Sequence, residues 1–369
     1  MLRFGLRNLF QSRTRLLISV GGVALALMLV LSLDAIFLGM ERQLSAYIEG
    51  SSADVFVAQS GVRNMHMASS SLPRAIVDRV ARVDGVADAT PLAYVSTAVL
   101  TKNEQYLAYV IGLPPDASLG RPERVTNGAH MVGQGDVVID GPVARAGVGV
   151  GDDVTILGRT FRVVGVSDAY GSVFNSFAFV PLDAFRTYGS DAVSYVLVRA
   201  QPGVAPSALA ERIEAEVSDV TATVRADFAK QEIKVINDMA TEVVAIMNLI
   251  GFVIGLAVMA LTMYTATIAR RAEYGVLKAL GVRTARLYRA VIVQAVVTVA
   301  LGLAAGVAFT LLVAAIVPRT GVQLSLALDA GSVAKTAAFA LAITALAAVL
   351  PILGIARIDP AIVFRRRIA

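Results

Sequence analysis

Residues 270–289 read RRAEYGVLKALGVRTARLYR, and what flanks this stretch decides the fold. Residues 243–269 before it and 290–318 after it contain no charged side chain. Each run exceeds the roughly 20 apolar residues that an α-helix needs to cross about 30 Å of hydrocarbon. The link between them therefore lies at a membrane surface. It holds six Arg or Lys against one acid, Glu273, so the positive-inside bias places it in the cytoplasm.

Two more charge-free runs, 16–33 and 336–356, bring the expected crossings to four. Arg3, Arg7, Arg13 and Arg15 precede the first, and Arg357, Arg365, Arg366 and Arg367 follow the last against Asp359. Residues 39–242, in contrast, carry 17 basic and 24 acidic side chains. The net charge of +5 thus sums two compartments of opposite sign. Both termini are expected in the cytoplasm, with one large segment outside. A mean hydropathy of +0.68 agrees with this class. Nucleic acid is excluded as the reason for the basic excess, because the cations sit dispersed at helix ends, where they suit anionic membrane lipid.

The expected fold is a membrane protein, α-helical with four transmembrane helices and one large α+β extracytoplasmic domain of two subdomains. Residues 1–15 form an interfacial amphipathic helix. The first crossing and its outward stalk take 16–50, and the outer domain 51–225. A second stalk and crossing take 226–269, the cytoplasmic link 270–289, and the third crossing 290–318. An outer loop takes 319–335, the last crossing 336–356 and a cytoplasmic tail 357–369. The first run is too long for the usual 7–15-residue signal-peptide core and no clear small-x-small cleavage site follows it, so it reads as a membrane helix. Asp34 reads as a residue at the membrane exit rather than a proton relay.

With no cysteine, the outer domain must bury its own core, for which about 200 residues suffice. Strands are expected at 54–59, 86–100, 105–111 and 194–200, with helices at 73–83, where Pro73 opens the first turn, and 206–217. The order resembles a split β-α-β-β-α-β layout with an insertion at about 114–193. Within the insertion, 153–157 and 160–166 read as a hairpin turning at Gly158 and Arg159. Asp152 and Asp153 read as turn formers. Met65, His66 and Met67 would suit a soft metal, but their polar surroundings favour an ordinary loop.

On a helical link, Tyr274, Leu277 and Leu280 form an apolar stripe flanked by Lys278 and Arg283. Such a helix suits a groove on a soluble partner or a place on lipid; spacing alone leaves both open. Gly281 stands where a C-cap glycine would, and Thr284 where the next helix takes its N-cap. Gly251 with Gly255, and Gly302 with Gly306, match G-x-x-x-G, which serves packing within one chain or between two copies. No Gly-Lys pair occurs, so no phosphate-binding P-loop is present. His66 and His130 are too far apart in sequence to suggest a catalytic set. Asn248 and Gln294 are the few strongly polar groups inside the crossings, a poor lining for a hydrophilic channel.

The link with its continuation, RRAEYGVLKALGVRTARLYRAVIVQ, resembles the cytoplasmic loop of the MacB/LolC/FtsX superfamily of ABC-transporter permeases. The likeness is carried by Arg270, Glu273, Gly275, Leu277, Lys278, Ala279, Gly281 and Gln294. LRNLFQSRTR at 6–15, GVGVGDDVTILGRTFRVVGV at 147–166 and ARIDPAIVF at 356–364 agree with it. DevC-like and LolC-like permeases look nearer than FtsX, whose outer domain is typically smaller. The resemblance implies a MacB-like periplasmic core domain and a non-enzymatic permease subunit. It implies a coupling helix, here Arg270, Arg271, Glu273, Tyr274, Gly275, Leu277, Lys278, Leu280 and Gly281, docked on a separate ATPase. Two ATPase copies would bind the ATP and Mg. A second permease copy or paralogue, and a periplasmic adaptor or substrate-binding protein, are further implied partners. The implied work is mechanotransmission for export or extraction of a lipid, lipoprotein or peptide; the alternative is FtsX-like activation of a cell-wall hydrolase.

Overall fold

A computed structural model describes residues 13–102, 104–122, 124–130, 133–145, 147–167, 176–186, 191–317 and 326–358. Residues 1–12 of the expected N-terminal amphipathic helix, residues 319–325 of the outer loop and residues 359–369 of the tail lie outside these residues. The chain divides into two units: 1–38, 241–319 and 326–369 form one, and 39–240 with 320–325 the other.

Among the described residues, four helical segments are long and apolar enough to cross a membrane, Leu16–Gly50, Thr241–Ala269, Thr284–Ile316 and Ala330–Ala356, the first of them continuing past residue 38 into the second unit. They belong to α1 (Arg13–Gly50), α5 (Arg225–Ala269), α7 (Thr284–Ile316), and the pair α8 (Ala330–Ala347) and α9 (Val349–Ala356). The last crossing is split at Ala348 because Pro351 has no N–H to give the Ala347 carbonyl and its ring crowds that turn. Hydroxyls within the helices bond back to the preceding turn, as Thr267 does to the Met263 carbonyl at 2.9 Å and Thr344 to that of Ala340 at 2.8 Å. Such a bond satisfies the hydroxyl within its own helix.

The glycine pairs pack inside this unit. A Cβ on Gly302 would stand 2.7 Å from Val23 Cγ1, and one on Gly306 3.1 Å from the Ala24 carbonyl oxygen. On α5, a Cβ at Gly251 would meet Val30 Cγ2 at 2.9 Å, and one at Gly255 would meet Ile343 Cδ1 at 3.0 Å and Ala26 Cβ at 3.2 Å. All four glycines thus let α5 and α7 close on α1 within the chain.

The second unit is built on β1 (Val55–Gln59), β3 (Val86–Leu100), β11 (Tyr195–Ala200) and β12 (Val220–Val224), in sheet order β12-β1-β11-β3. Every side chain of VFVA in β1 is buried because both faces are covered. Val55 and Val57 face α2 (Ala75–Ala81) and α4 (Pro206–Glu216). Phe56 and Ala58 face the ends of α1 and α5, where Phe56 stacks on Phe228 at 4.7 Å. This is the split β-α-β-β-α-β order, with two corrections. Its fourth strand, β12, carries no end signal in the sequence and so is not among the expected strands, since it runs into α5 without a Gly or Pro. The strand β4 (Gln105–Leu113) belongs to the insertion, whose boundary falls inside β3. Residues 86–92 of β3 pair with β11 and 93–100 with β4.

In the insertion, β4 pairs β9 (Ser176–Pro181), which pairs β6 (Asp136–Asp140), then β8 (Arg159–Ser167) and β7 (Asp153–Ile156). A single pair, Leu100 with Thr155, returns β7 to β3 and closes the strands around Val99, Val110, Ile139, Phe161 and Val180. The β7–β8 turn sits at Leu157 and Gly158, one residue earlier than expected. Both have positive φ, 52° and 73°, as a two-residue hairpin turn with the twist of its strands requires. Pro73 also departs from expectation: it lies in the two-residue β2 (Leu72–Pro73), and Arg74 takes the N-cap of α2.

Candidate coupling site

Helix α6 (Arg271–Ala279) carries the candidate site. Glu273 in its first turn and Lys278 in its last complement the helix dipole. Its end is closed by backbone bonds from Val282 N to the Leu277 carbonyl and from Gly281 N to that of Lys278, both 3.0 Å. Gly281, at φ +83°, makes this Schellman turn possible, as expected. Thr284 is not the N-cap of α7; Arg283 is, with no side-chain cap.

The helix presents a face that the sequence reading placed differently. Tyr274 and Gly275 are buried, and Leu277 is half-buried against a core of Leu287, Val291, Ile355 and Ile358. Burial pushes the Tyr274 phenol above its usual pKa. Lys278 Nζ donates to three carbonyls at the end of the last crossing: Ile355 at 2.8 Å, Ile358 at 3.2 Å and Ala356 at 3.3 Å. Tyr274 and Lys278 are therefore engaged within the chain. Exposed instead are Arg271, Glu273, Val276 and Leu280, the last at 75 %. Val276 was missed because a three-residue period from Tyr274 skips it; a four-residue step to Leu280 would have found it.

Elsewhere the candidates resolve into structural roles. Asp34, 8 % exposed, pairs with Lys335 at 3.1 Å. The Asp152 carboxylate accepts from Gly149 N at 2.8 Å, a turn as expected, and Asp153 pairs with Arg162 at 3.5 Å. Met65 is buried in the core while Met67 is exposed, so the two flanking sulfurs do not share one environment. His66 Nδ1 lies 2.6 Å from the buried Glu232 carboxylate, which also accepts from Met65 N at 2.6 Å. One carboxylate on α5 thus fastens the 65–66 loop. Nearby, burial first and then the neighbouring Tyr109 push the Tyr94 phenol far up, so it stays protonated.

These features define a four-helix membrane protein with a two-part α/β domain inserted after its first crossing and a short amphipathic helix between the second and third. Comparison with known proteins agrees along the whole chain. Residues 16–216 match the MacB-like periplasmic core domain, and 245–360 the FtsX-like permease C-terminal domain. An ABC transporter permease of Mycobacterium bovis is 24% identical over 368 residues, covering 99% of each chain. Another, of Mycobacterium tuberculosis, is 23% identical over 370 residues with the same coverage. Among solved structures, the periplasmic region of MacB from Actinobacillus actinomycetemcomitans is 17% identical with a TM-score of 0.40, covering 51% of this chain and 95% of that one. The extracellular domain of the YknZ transporter from Gram-positive bacteria is 16% identical with a TM-score of 0.37, covering 46% and 98%. The chain belongs to the MacB/FtsX-type ABC transporter permeases. Membership implies an ATPase partner.

Proposed function

We propose that this permease works by mechanotransmission. ATP and Mg bind and turn over on a separate ATPase subunit, two copies of which close on each other. That closure displaces α6, and the displacement passes through the crossings to the extracytoplasmic domain, which acts on a hydrophobic substrate: a lipid, lipoprotein or peptide. A second copy or a paralogue completes the transporter, with both termini in the cytoplasm.

The observation that carries this reading is the outward face of α6. Val276 and Leu280 are exposed apolar side chains bordered by Arg271 and Glu273, the chemistry of a helix laid in a groove of a soluble partner. The opposite face of α6 is locked into its own membrane unit. A push on that helix therefore moves the unit rather than deforming a loop.

Replacing Val276 and Leu280 by Asp tests this. Association with the ATPase should be lost while membrane insertion persists. Undiminished co-purification of the ATPase would remove α6 from the coupling role.

A further inference from the structure

The last crossing holds a lysine-based clamp at each end. At its inner end Lys278, carried by α6, donates to the carbonyls of Ile355, Ala356 and Ile358. The last turn of a helix leaves its carbonyls without intrahelical partners, and a cation placed on them is held by bonds and by the helix dipole together. At its outer end Lys335, near the start of α8, pairs with Asp34 of α1 at 3.1 Å, and Ala327 N, just before α8, donates to the Ala35 carbonyl at 3.0 Å. Asp34 is 8 % exposed and Lys335 49 %, so the pair is shielded on its carboxylate side only.

Between the clamps the rod is kinked at Ala348 but not cut. Ala348 N still donates to the Thr344 carbonyl at 3.2 Å, and Ile352 N to that of Ala348 at 3.1 Å. The helix that receives the outer clamp, α1, runs unbroken to Gly50. Its last turns carry Tyr47, buried in the α/β core, whose hydroxyl donates to the Gly120 carbonyl at 3.1 Å.

We propose that the last crossing is a strut, carrying displacement of α6 to α1 and so to the extracytoplasmic domain, although no peptide link joins it to α6 or α1. Lys278, Asp34 and Lys335 are positioning residues in that path. The inference rests on the mechanotransmission reading and adds a route to it. The covalent neighbours of α6, which are α5 and α7, are then not the sole carriers of the motion.

The chain has no cysteine, so Met67→Cys and Ile316→Cys, both at exposed positions, supply two unique spin-label sites. Pulsed EPR on the transporter isolated from its own membranes with its ATPase would read the distance between them with and without ATP. The parent chain should show an ATP-dependent shift. Lys278→Met and Asp34→Asn should keep the ATPase bound and hydrolysing but lose the shift. Lys278→Arg, and the charge exchange Asp34→Lys with Lys335→Asp, should regain it. If Lys278→Met and Asp34→Asn shift as the parent does, the strut is overturned and the coupling reading stands. If Lys278→Met releases the ATPase, the lysine serves docking and the strut is again overturned. No shift in the parent chain sinks the coupling reading itself.

Discussion

At the scale of single residues, the membrane unit depends on atoms that are missing. Gly302 faces Val23 Cγ1 at 2.7 Å from where a Cβ would stand, closer than real Cβ contacts allow. In lipid there is no hydrophobic force between helices, so close backbone approach and dispersion carry the association. Gly302→Val should destabilise the bundle by about 1–3 kcal/mol, the usual range for overpacking a close-fitted site. Thermal unfolding in detergent measures it; a melting point equal to that of the parent chain would mean that α1 and α7 do not meet at this glycine. The role of Lys278 belongs to the same scale. Its position in the last turn of α6 is evident from the chain, but its three acceptors lie 77 to 80 residues away, beyond the reach of any local periodicity.

Among the elements, α5 is the longest at 45 residues, about 68 Å at 1.5 Å per residue. It begins at the end of β12 and stops at the N-cap of α6. Phe228 and Glu232 root its first turns in the α/β core. Its i to i−4 ladder is unbroken from Arg225 to Ala269. Proline at the exposed Asp238 would remove one rung and strain the turn before it, at a cost of about 3 kcal/mol. Asp238→Pro should leave ATP hydrolysis intact while reducing the ATP-dependent displacement of the extracytoplasmic domain. Equal displacement in variant and parent would show that α5 carries none of it. The continuity of this element was legible, because 226–242 offers no Gly or Pro. The strand before it was not, since VTATV is short and flows straight into the helix.

For the whole molecule, the distribution of charge predicts the topology. Met67 is exposed on the α/β unit, so Met67→Cys should react with a membrane-impermeant maleimide on intact cells, and protection until lysis would reverse the orientation. One test thereby separates the placement of the large domain from all questions of coupling.

Four crossings, the single large inserted domain and the amphipathic link between the second and third crossings followed from the sequence alone. Each rests on a one-dimensional property: the length of an uncharged run, the sign of charge beside it, or the spacing of apolar residues. Tertiary structure decided which face of α6 is free, which residues of neighbouring helices each of the four glycines meets, that β3 is shared between two subdomains, and that Asp34 and Lys278 clamp the last crossing at its two ends. Those outcomes depend on which distant atoms compete for a side chain's hydrogen bonds and volume, and a linear pattern does not record that competition.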